Sequence, residues 1–109
     1  MLVNVEVRER TRNLLAESIV DAPDADAKIG RLLHGEYLRE MARYQRIVQR
    51  LSQKYNMSFA TFFDQEVVMK HNYSWEVEQD AMEWETAIGG LQTTERKLGE
   101  IRAILSDFE

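Results

Sequence analysis

The chain contains no cysteine and only one proline, and it has no apolar run of the about 20 residues that a membrane span requires. The absence of cysteine excludes disulfides, thiolate metal sites and cysteine nucleophiles. Nothing at its start resembles a signal peptide, so we expect a cytoplasmic protein that does not bind membranes. With 44% hydrophobic residues among 109, the sequence predicts a single helical domain over residues 1–109.

The charge of the chain is unevenly distributed, with a formal net value of −5. Residues 24–55 contain seven basic and four acidic side chains, whereas residues 74–109 contain three basic and nine acidic ones. Nucleic-acid binding draws most of its affinity from cationic surface, so we do not expect a nucleic-acid partner. The asymmetry predicts that a basic helix lies beside an acidic one, or that the acidic helix meets a basic partner.

Residues 27–55 form the stretch around which the chain is predicted to be organised. Apolar residues recur along it at steps of four and three, which places them on one side of a helix: Tyr37, Met41, Tyr44, Val48, Leu51 and Tyr55. This helix would be about 43 Å long, whereas a compact domain of this size has a radius of gyration of about 13 Å. Either the fold is elongated or a second chain covers the overhang, and we expect a homodimer.

The remaining helices are predicted from the same kind of pattern. A first helix is expected from residue 4 or 5 to residue 19, although three alternating valines within residues 3–7 also fit a strand. The long helix is expected to end near Tyr55, with Asn56 as a left-handed cap residue. A single short helix is expected over residues 59–70 with Ser58 as its cap, and Ser74 is expected to cap the final helix. The predicted fold is therefore all-α, an elongated helical hairpin of two long antiparallel helices with shorter helices.

Two adjacent glycines, Gly89 and Gly90, interrupt the spacing of the final helix. Two glycines inside a helix cost about 2 kcal/mol relative to alanine. The pair predicts either a kink or a place where another backbone comes close, and the kink is the interpretation that we favour.

No pattern in the sequence predicts a nucleophilic or cofactor-binding site, and no cofactor is expected. The two histidines, His34 and His71, lack the acidic residue three positions earlier that a di-iron helical bundle requires. The chain also has no glycine-flanked serine and no phosphate-binding glycine loop.

Metal-dependent chemistry has one candidate, at the start of the final helix. Glu76, Asp80 and Glu83 share one side there at four-three spacing, and carboxylates of this kind hold Mg²⁺. A second acidic motif is needed for a helical nucleotide pyrophosphohydrolase, and only Glu36 with Glu40 would supply it. A solvated acidic face is the simpler interpretation.

Two charged groups are candidates for partner binding. The arginine face repeats on the side of the long helix opposite to the apolar seam, and it consists of Arg39, Arg43, Arg46 and Arg50. The acidic group occupies the start of the final helix and consists of Glu76, Glu78, Asp80, Glu83 and Glu85. Either group can also be an ordinary solvated face. Because the arginine face points away from the seam, we do not expect it to meet the acidic group within one chain.

The two tryptophans are predicted to have different environments. Trp84 falls in the apolar seam and is expected to pack in the core, whereas Trp75 lies off the seam at the start of the helix. Exposed tryptophan is unusual and is enriched at binding hot spots, so Trp75 is a candidate anchor for a partner.

Two runs, KYNMSF at residues 54–59 and YSWEVEQDAMEWE at residues 73–85, resemble a family of small helical prokaryotic proteins of unassigned activity. The resemblance extends over roughly residues 30–105, and some members are regarded as antitoxins of toxin–antitoxin pairs. It implies a non-enzymatic adaptor that binds a small, toxin-like protein, and it carries no active-site residues. No helix-turn-helix is found that would indicate DNA binding. The alternatives are a metal-dependent nucleotide hydrolase and an oligomeric scaffold.

Overall fold

The structure, a computed structural model, describes residues 1–18 and 21–107, and the regular elements of these residues are all helices. They are α1 (Glu9–Glu17), α2 (Ala25–Tyr55), α3 (Phe59–Asp64), α4 (Val67–Lys70) and α5 (Trp75–Ser106). α2 and α5 run antiparallel, since Gly30 lies against Leu105 near one end and Lys54 contacts Asp80 near the other. The predicted all-α helical hairpin is confirmed.

The hairpin is elongated, with extents of 56 × 28 × 24 Å and a radius of gyration of 19.8 Å. α5 lies along α2 and covers its apolar seam from Gly30 through Tyr44 to Lys54. Elongation therefore accommodates the long seam, and its length alone does not require a second chain.

Side chains cap the helices where the sequence predicts caps. Ser58 accepts a hydrogen bond from the backbone N–H of Thr61 at 3.2 Å, and Ser74 accepts one from Val77 at 3.4 Å. Asn56 ends α2 in the left-handed region, with φ of 53°. These groups satisfy backbone donors and acceptors that helix termini leave without partners.

The predicted start of the first helix is wrong. α1 begins at Glu9, and residues 1–8 are exposed and not helical; residue 19, the predicted end, lies outside the described residues. Val3, Val5 and Val7 are 72%, 74% and 56% exposed. Short helices gain most of their stability from packing an apolar face, and these valines have no surface to pack against.

The single short helix predicted over residues 59–70 is also wrong, because it is divided into α3 and α4. Glu66 separates the two helices and has a left-handed φ of 52°. Phe62 and Val67 are both buried, at 2% and 7% exposure. Residues five apart lie about 140° apart around a continuous helix, so the break allows both side chains to enter one core.

The main apolar core lies at the closed end of the hairpin, where α3 and α4 connect α2 to α5. Its buried members are Leu51, Phe62, Val67, Val77 and Trp84. The Trp84 ring lies 5.2 Å from that of Phe62 and 5.4 Å from that of Phe59, measured between centroids. The predicted core position of Trp84 is confirmed. Within residues 1–18 and 21–107, no helix has the length and apolar character needed to cross a membrane.

Candidate functional site

The five carboxylates at the start of α5 are divided between two sides of the helix. Three of them share the side that faces α2: Glu76, Asp80 and Glu83. Lys54 Nζ lies 2.7 Å from Glu76 Oε1 and 2.6 Å from Asp80 Oδ2. Arg50 Nη2 lies 2.7 Å from Glu83 Oε1.

The expectation that the arginine face and the acidic group stay apart within one chain is therefore wrong at Arg50. Arg50 reaches around α2 to Glu83 because a long guanidinium side chain need not follow the direction of its Cα–Cβ bond. Lys54, one turn further along, extends the contact to Glu76 and Asp80. The basic end of α2 thus neutralises part of the acidic start of α5.

The other arginines do not reach the acidic group. Arg39 pairs with Glu36 of its own helix at 3.0 Å, and the Arg43 guanidinium lies 5.8 Å from the centre of the Tyr44 ring. Arg46 forms no ion pair with any residue that the structure describes. These three side chains leave an exposed basic face along the middle of α2.

Asp80 is the most enclosed member of the acidic group, with its side chain 14% exposed. Its Oδ2 accepts hydrogen bonds from Lys54 Nζ and from the Tyr55 hydroxyl, both at 2.6 Å. Burial acts to raise the pKa of Asp80, but these two hydrogen bonds outweigh it and hold the pKa below its ordinary 3.8. Burial and the hydrogen bond to Asp80 raise the pKa of Tyr55 to about 12.

The charge states of this network couple to folding. Tyr55 keeps its proton to a higher pH in the folded chain than in the unfolded one, so its contribution is complete below pH 10.0 and is lost as the pH rises towards about 12. Asp80 behaves in the opposite sense: its contribution is complete well above the ordinary carboxyl pKa of 3.8 and is lost as the pH falls through its lower folded pKa.

We expect Asp80→Asn to lower the free energy of unfolding at pH 7 by about 1 kcal/mol, because the charge-assisted hydrogen bonds are weakened. The difference from the wild type should shrink as urea denaturation is repeated at pH values below 3.8, where wild-type Asp80 is progressively protonated. Glu83→Gln is the control: its carboxylate is 44% exposed, so we expect a change within about 0.5 kcal/mol. A difference for Asp80→Asn that is independent of pH would contradict an electrostatic role.

Glu78 and Glu85 are the two members of the acidic group that form no ion pair with a described residue. They are seven positions apart and therefore lie on one side of α5, away from Glu76, Asp80 and Glu83. Both are exposed, and neither forms an ion pair with a residue in the described part of the chain. Trp75, at the start of the same helix, is 76% exposed, as predicted.

The structure does not bring together the two acidic motifs that the alternative magnesium site would need. Glu36 pairs with Arg39. Glu40 lies ten residues before Arg50 on α2, or about 15 Å along the helix axis. Because Arg50 is the residue that contacts Glu83, Glu40 lies far from that carboxylate. Among residues 1–18 and 21–107, no group of three histidine, aspartate or glutamate side chains is placed to hold a metal ion. The acids that would have bound Mg²⁺ instead contact Arg50 and Lys54.

Lys54 and Tyr55 are site residues that the sequence reasoning missed. One signal was present, since Lys54 follows Arg50 by four residues and continues the same basic side of α2. No sequence pattern indicates the contact of the Tyr55 hydroxyl with Asp80, because the position of Tyr55 marks it only as the last member of the apolar seam. Its hydroxyl reaches Asp80 although its ring packs against Phe62 and Trp84.

Comparison with protein-family models, with curated proteins and with solved structures finds no match to this chain.

Proposed function

We propose that this protein is a non-enzymatic protein-binding module, the antitoxin-like subunit that neutralises a small basic protein in a toxin–antitoxin pair. The observation that supports this is the division of the acidic group. Glu76, Asp80 and Glu83 are compensated within the chain, whereas Glu78 and Glu85 face outwards without a cation among the described residues.

Outward-facing carboxylates favour a cationic partner in two ways. They attract it over about 8–10 Å at physiological salt, which raises the association rate. They also disfavour acidic partners, because like charges brought together at an interface cost free energy. Trp75, exposed on the same part of α5, adds a large apolar contact of the kind that dominates interface energetics.

The direct test uses the product of the reading frame adjacent to this one. We expect that product to arrest growth when it is expressed alone, to be harmless when it is expressed with this protein, and to copurify with it. An adjacent product that forms no complex with this protein would contradict the assignment to a toxin–antitoxin pair.

We expect the double reversal Glu78→Lys and Glu85→Lys to leave the fold intact and to slow association with that partner by roughly tenfold or more at low salt. The association rate should also lose its dependence on salt concentration, measured by stopped-flow mixing from low to high ionic strength. Both side chains are exposed and make no ion pair with a described residue, so the circular dichroism spectrum should not change.

The charge-matched control is Glu95→Lys with Glu100→Lys, further along α5. Both control residues are exposed, and Glu100 makes only an exposed intrahelical pair with Arg96. This variant changes the net charge by the same amount as the reversal of Glu78 and Glu85. If the position of the charge matters, the control should slow association much less than that reversal does. Equal slowing by both variants would show that only net charge steers the encounter.

A homodimer is the second part of the proposal. Ile29, Leu32 and Leu33 follow one another at helical spacing on α2 and remain 44%, 49% and 38% exposed. Their side chains form an apolar patch near the end of the hairpin opposite to α3 and α4, and a second copy would cover it.

We expect light scattering at micromolar concentration to give the mass of two chains for the wild type and of one chain for Leu32→Glu, because a charge in an apolar interface is costly. Arg31→Glu is the neighbouring control, since Arg31 is already charged and exposed. A wild-type mass of one chain would contradict the dimer and leave the protein-binding proposal unaffected.

A further inference from the structure

A groove of about 500 Å³ lies between α3 and α4 on one side and α5 on the other. Phe59, Phe62 and Val67 line its inner part and also belong to the core or pack against it. Its outer part is formed by large apolar side chains that remain exposed: Phe63 at 72%, Tyr73 at 60% and Met69 at 46%. Exposed aromatic and methionine side chains around a concave surface are typical of protein-binding sites.

All charged residues that line the groove are acidic: Asp64, Glu66 and Glu85. None of their side chains forms an ion pair or a hydrogen bond with a residue that the structure describes. A ligand with an apolar side chain and neighbouring cations would complement this surface both in hydrophobicity and in charge.

Two residues that line the groove have an unfavourable backbone conformation. Glu66 has φ of 52° and Tyr73 has φ of 54°, both in the left-handed region. Glycine or asparagine adopts this region at less cost, and the chain does use asparagine at Asn56 and Asn72. At Glu66 and Tyr73 the conformation instead accompanies side chains that line the groove. Backbone strain of this kind is concentrated at functional sites.

We propose that this groove binds a basic segment of the partner protein, with one large apolar side chain among Phe63, Met69 and Tyr73. Lysine or arginine side chains of that segment would face Asp64, Glu66 and Glu85. The inference rests on the proposed function and assigns a surface for one segment of the partner. Glu85 belongs to this groove, whereas Trp75 lies outside it and would contact another part of the partner. A second copy of this chain is a poorer occupant of the groove, because a symmetric contact between two grooves would bring Asp64, Glu66 and Glu85 of both copies together.

The test uses a synthetic peptide of leucine and lysine, about 18 residues long so that it can form an amphipathic helix, and an acidic counterpart of leucine and glutamate. We expect the basic peptide to bind the full-length protein in isothermal titration calorimetry and the acidic one not to bind. In nuclear magnetic resonance titration, the residues that shift should be those lining the groove.

Two matched variants locate the binding surface. Phe63→Ser should weaken binding of the basic peptide by at least roughly tenfold, as expected for loss of an anchor. Trp75→Ser removes an aromatic residue of similar exposure, 76% against 72%, and should change the affinity by less than about twofold, as expected outside the binding surface. Equal effects of the two variants, or a larger effect of Trp75→Ser, would overturn the inference.

A third variant separates binding from folding. Glu66→Gly places glycine at a left-handed position, so it should raise the urea midpoint of unfolding. It also removes a carboxylate from the groove, so it should lower the affinity for the basic peptide several-fold. Unchanged affinity for the basic peptide in this variant would exclude Glu66 from the binding surface. It would overturn the inference that the acidic residues lining the groove contact the basic segment.

The outcomes for the groove and for the proposed function are distinguishable. If the adjacent product binds this protein but Phe63→Ser does not weaken that complex, the groove is the wrong surface and the function stands. If the basic peptide binds in the groove but the adjacent product forms no complex, the groove stands and the toxin–antitoxin assignment fails. Concentration-dependent self-association that Phe63→Ser abolishes would overturn the choice of a foreign partner as occupant.

Discussion

Replacement of Trp84 by alanine is expected to lower the free energy of unfolding by about 3–5 kcal/mol. Trp84 is 1% exposed, and its ring lies within 5.2–6.0 Å, between centroids, of the rings of Phe62, Phe59 and Tyr55. Its removal leaves a cavity where α2, α3 and α5 meet. Small domains have only about 5–15 kcal/mol of stability, so urea denaturation should show a large decrease in the midpoint or a chain that is unfolded without denaturant.

Trp75→Ala is the matched control for this prediction. It removes the same side chain from a site that is 76% exposed, so the free energy of unfolding should change by no more than about 0.5 kcal/mol. Far-ultraviolet circular dichroism follows both transitions, because the regular elements of the described residues are all helices. Comparable destabilisation by the two substitutions would contradict the assignment of one tryptophan to the core and the other to the surface.

Substitution of Gly90 by alanine is expected to lower the free energy of unfolding by about 1–3 kcal/mol, although alanine is the better helix former. A Cβ atom at Gly90 would lie 2.5–2.7 Å from three atoms of the Tyr44 ring. Tyr44 is a residue of α2, and its ring would have to move away from the surface of α5. There the ring also lines a shallow pocket with Ile47 and Ala87. Thermal or urea denaturation measures the loss.

Gly89→Ala should have the opposite sign. Apart from its chain neighbours and the adjacent backbone of α5, no described residue has an atom within 4 Å of a Cβ placed at Gly89. The gain in helix propensity should therefore stabilise the protein by about 1 kcal/mol. Repeating Gly90→Ala in a Tyr44→Ala background should also stabilise the protein, because the obstructing ring is absent. Destabilisation in that background would show that the cost at Gly90 does not arise from Tyr44.

These two glycines show why the sequence alone could not choose between a kink and a close approach. The structure divides the pair: at Gly90 a tyrosine ring, rather than a backbone, comes close, while Gly89 faces open space. α5 is continuous through both residues, from Trp75 to Ser106. Spacing identifies an unusual position in a helix, but the reason for it lies on another helix.

The candidate site was also predictable only in part, because spacing along one helix gives no information on what the other helix contacts. The acidic group, the arginine face and the exposure of Trp75 follow from helical periodicity, because residues three or four apart share a side of any helix. The pairing of Arg50 with Glu83 was not predictable, since it depends on how α2 and α5 are rotated about their axes relative to each other. The same rotation leaves Glu85 beside the groove.

The residues that form the groove were not predictable from the sequence. Phe62 and Phe63 lie about 100° apart around a helix, and both fit the apolar face of the predicted short helix. Only the packing shows that Phe62 is the buried one, at 2% exposure, and that Phe63, at 72%, borders a concave surface. Met69 carries no sequence signal for this role.

Local sequence patterns were enough to predict the all-helical class, the end of the long helix at Asn56, the caps at Ser58 and Ser74, and the core position of Trp84. Each of these follows from local backbone chemistry or from the period of a helix, which short segments carry independently. Tertiary packing was needed to show where α3 and α4 divide, which carboxylates are neutralised, and what a side chain at Gly90 would contact. Those features depend on distances between residues far apart in the chain, and they are set by the way α5 packs against α2.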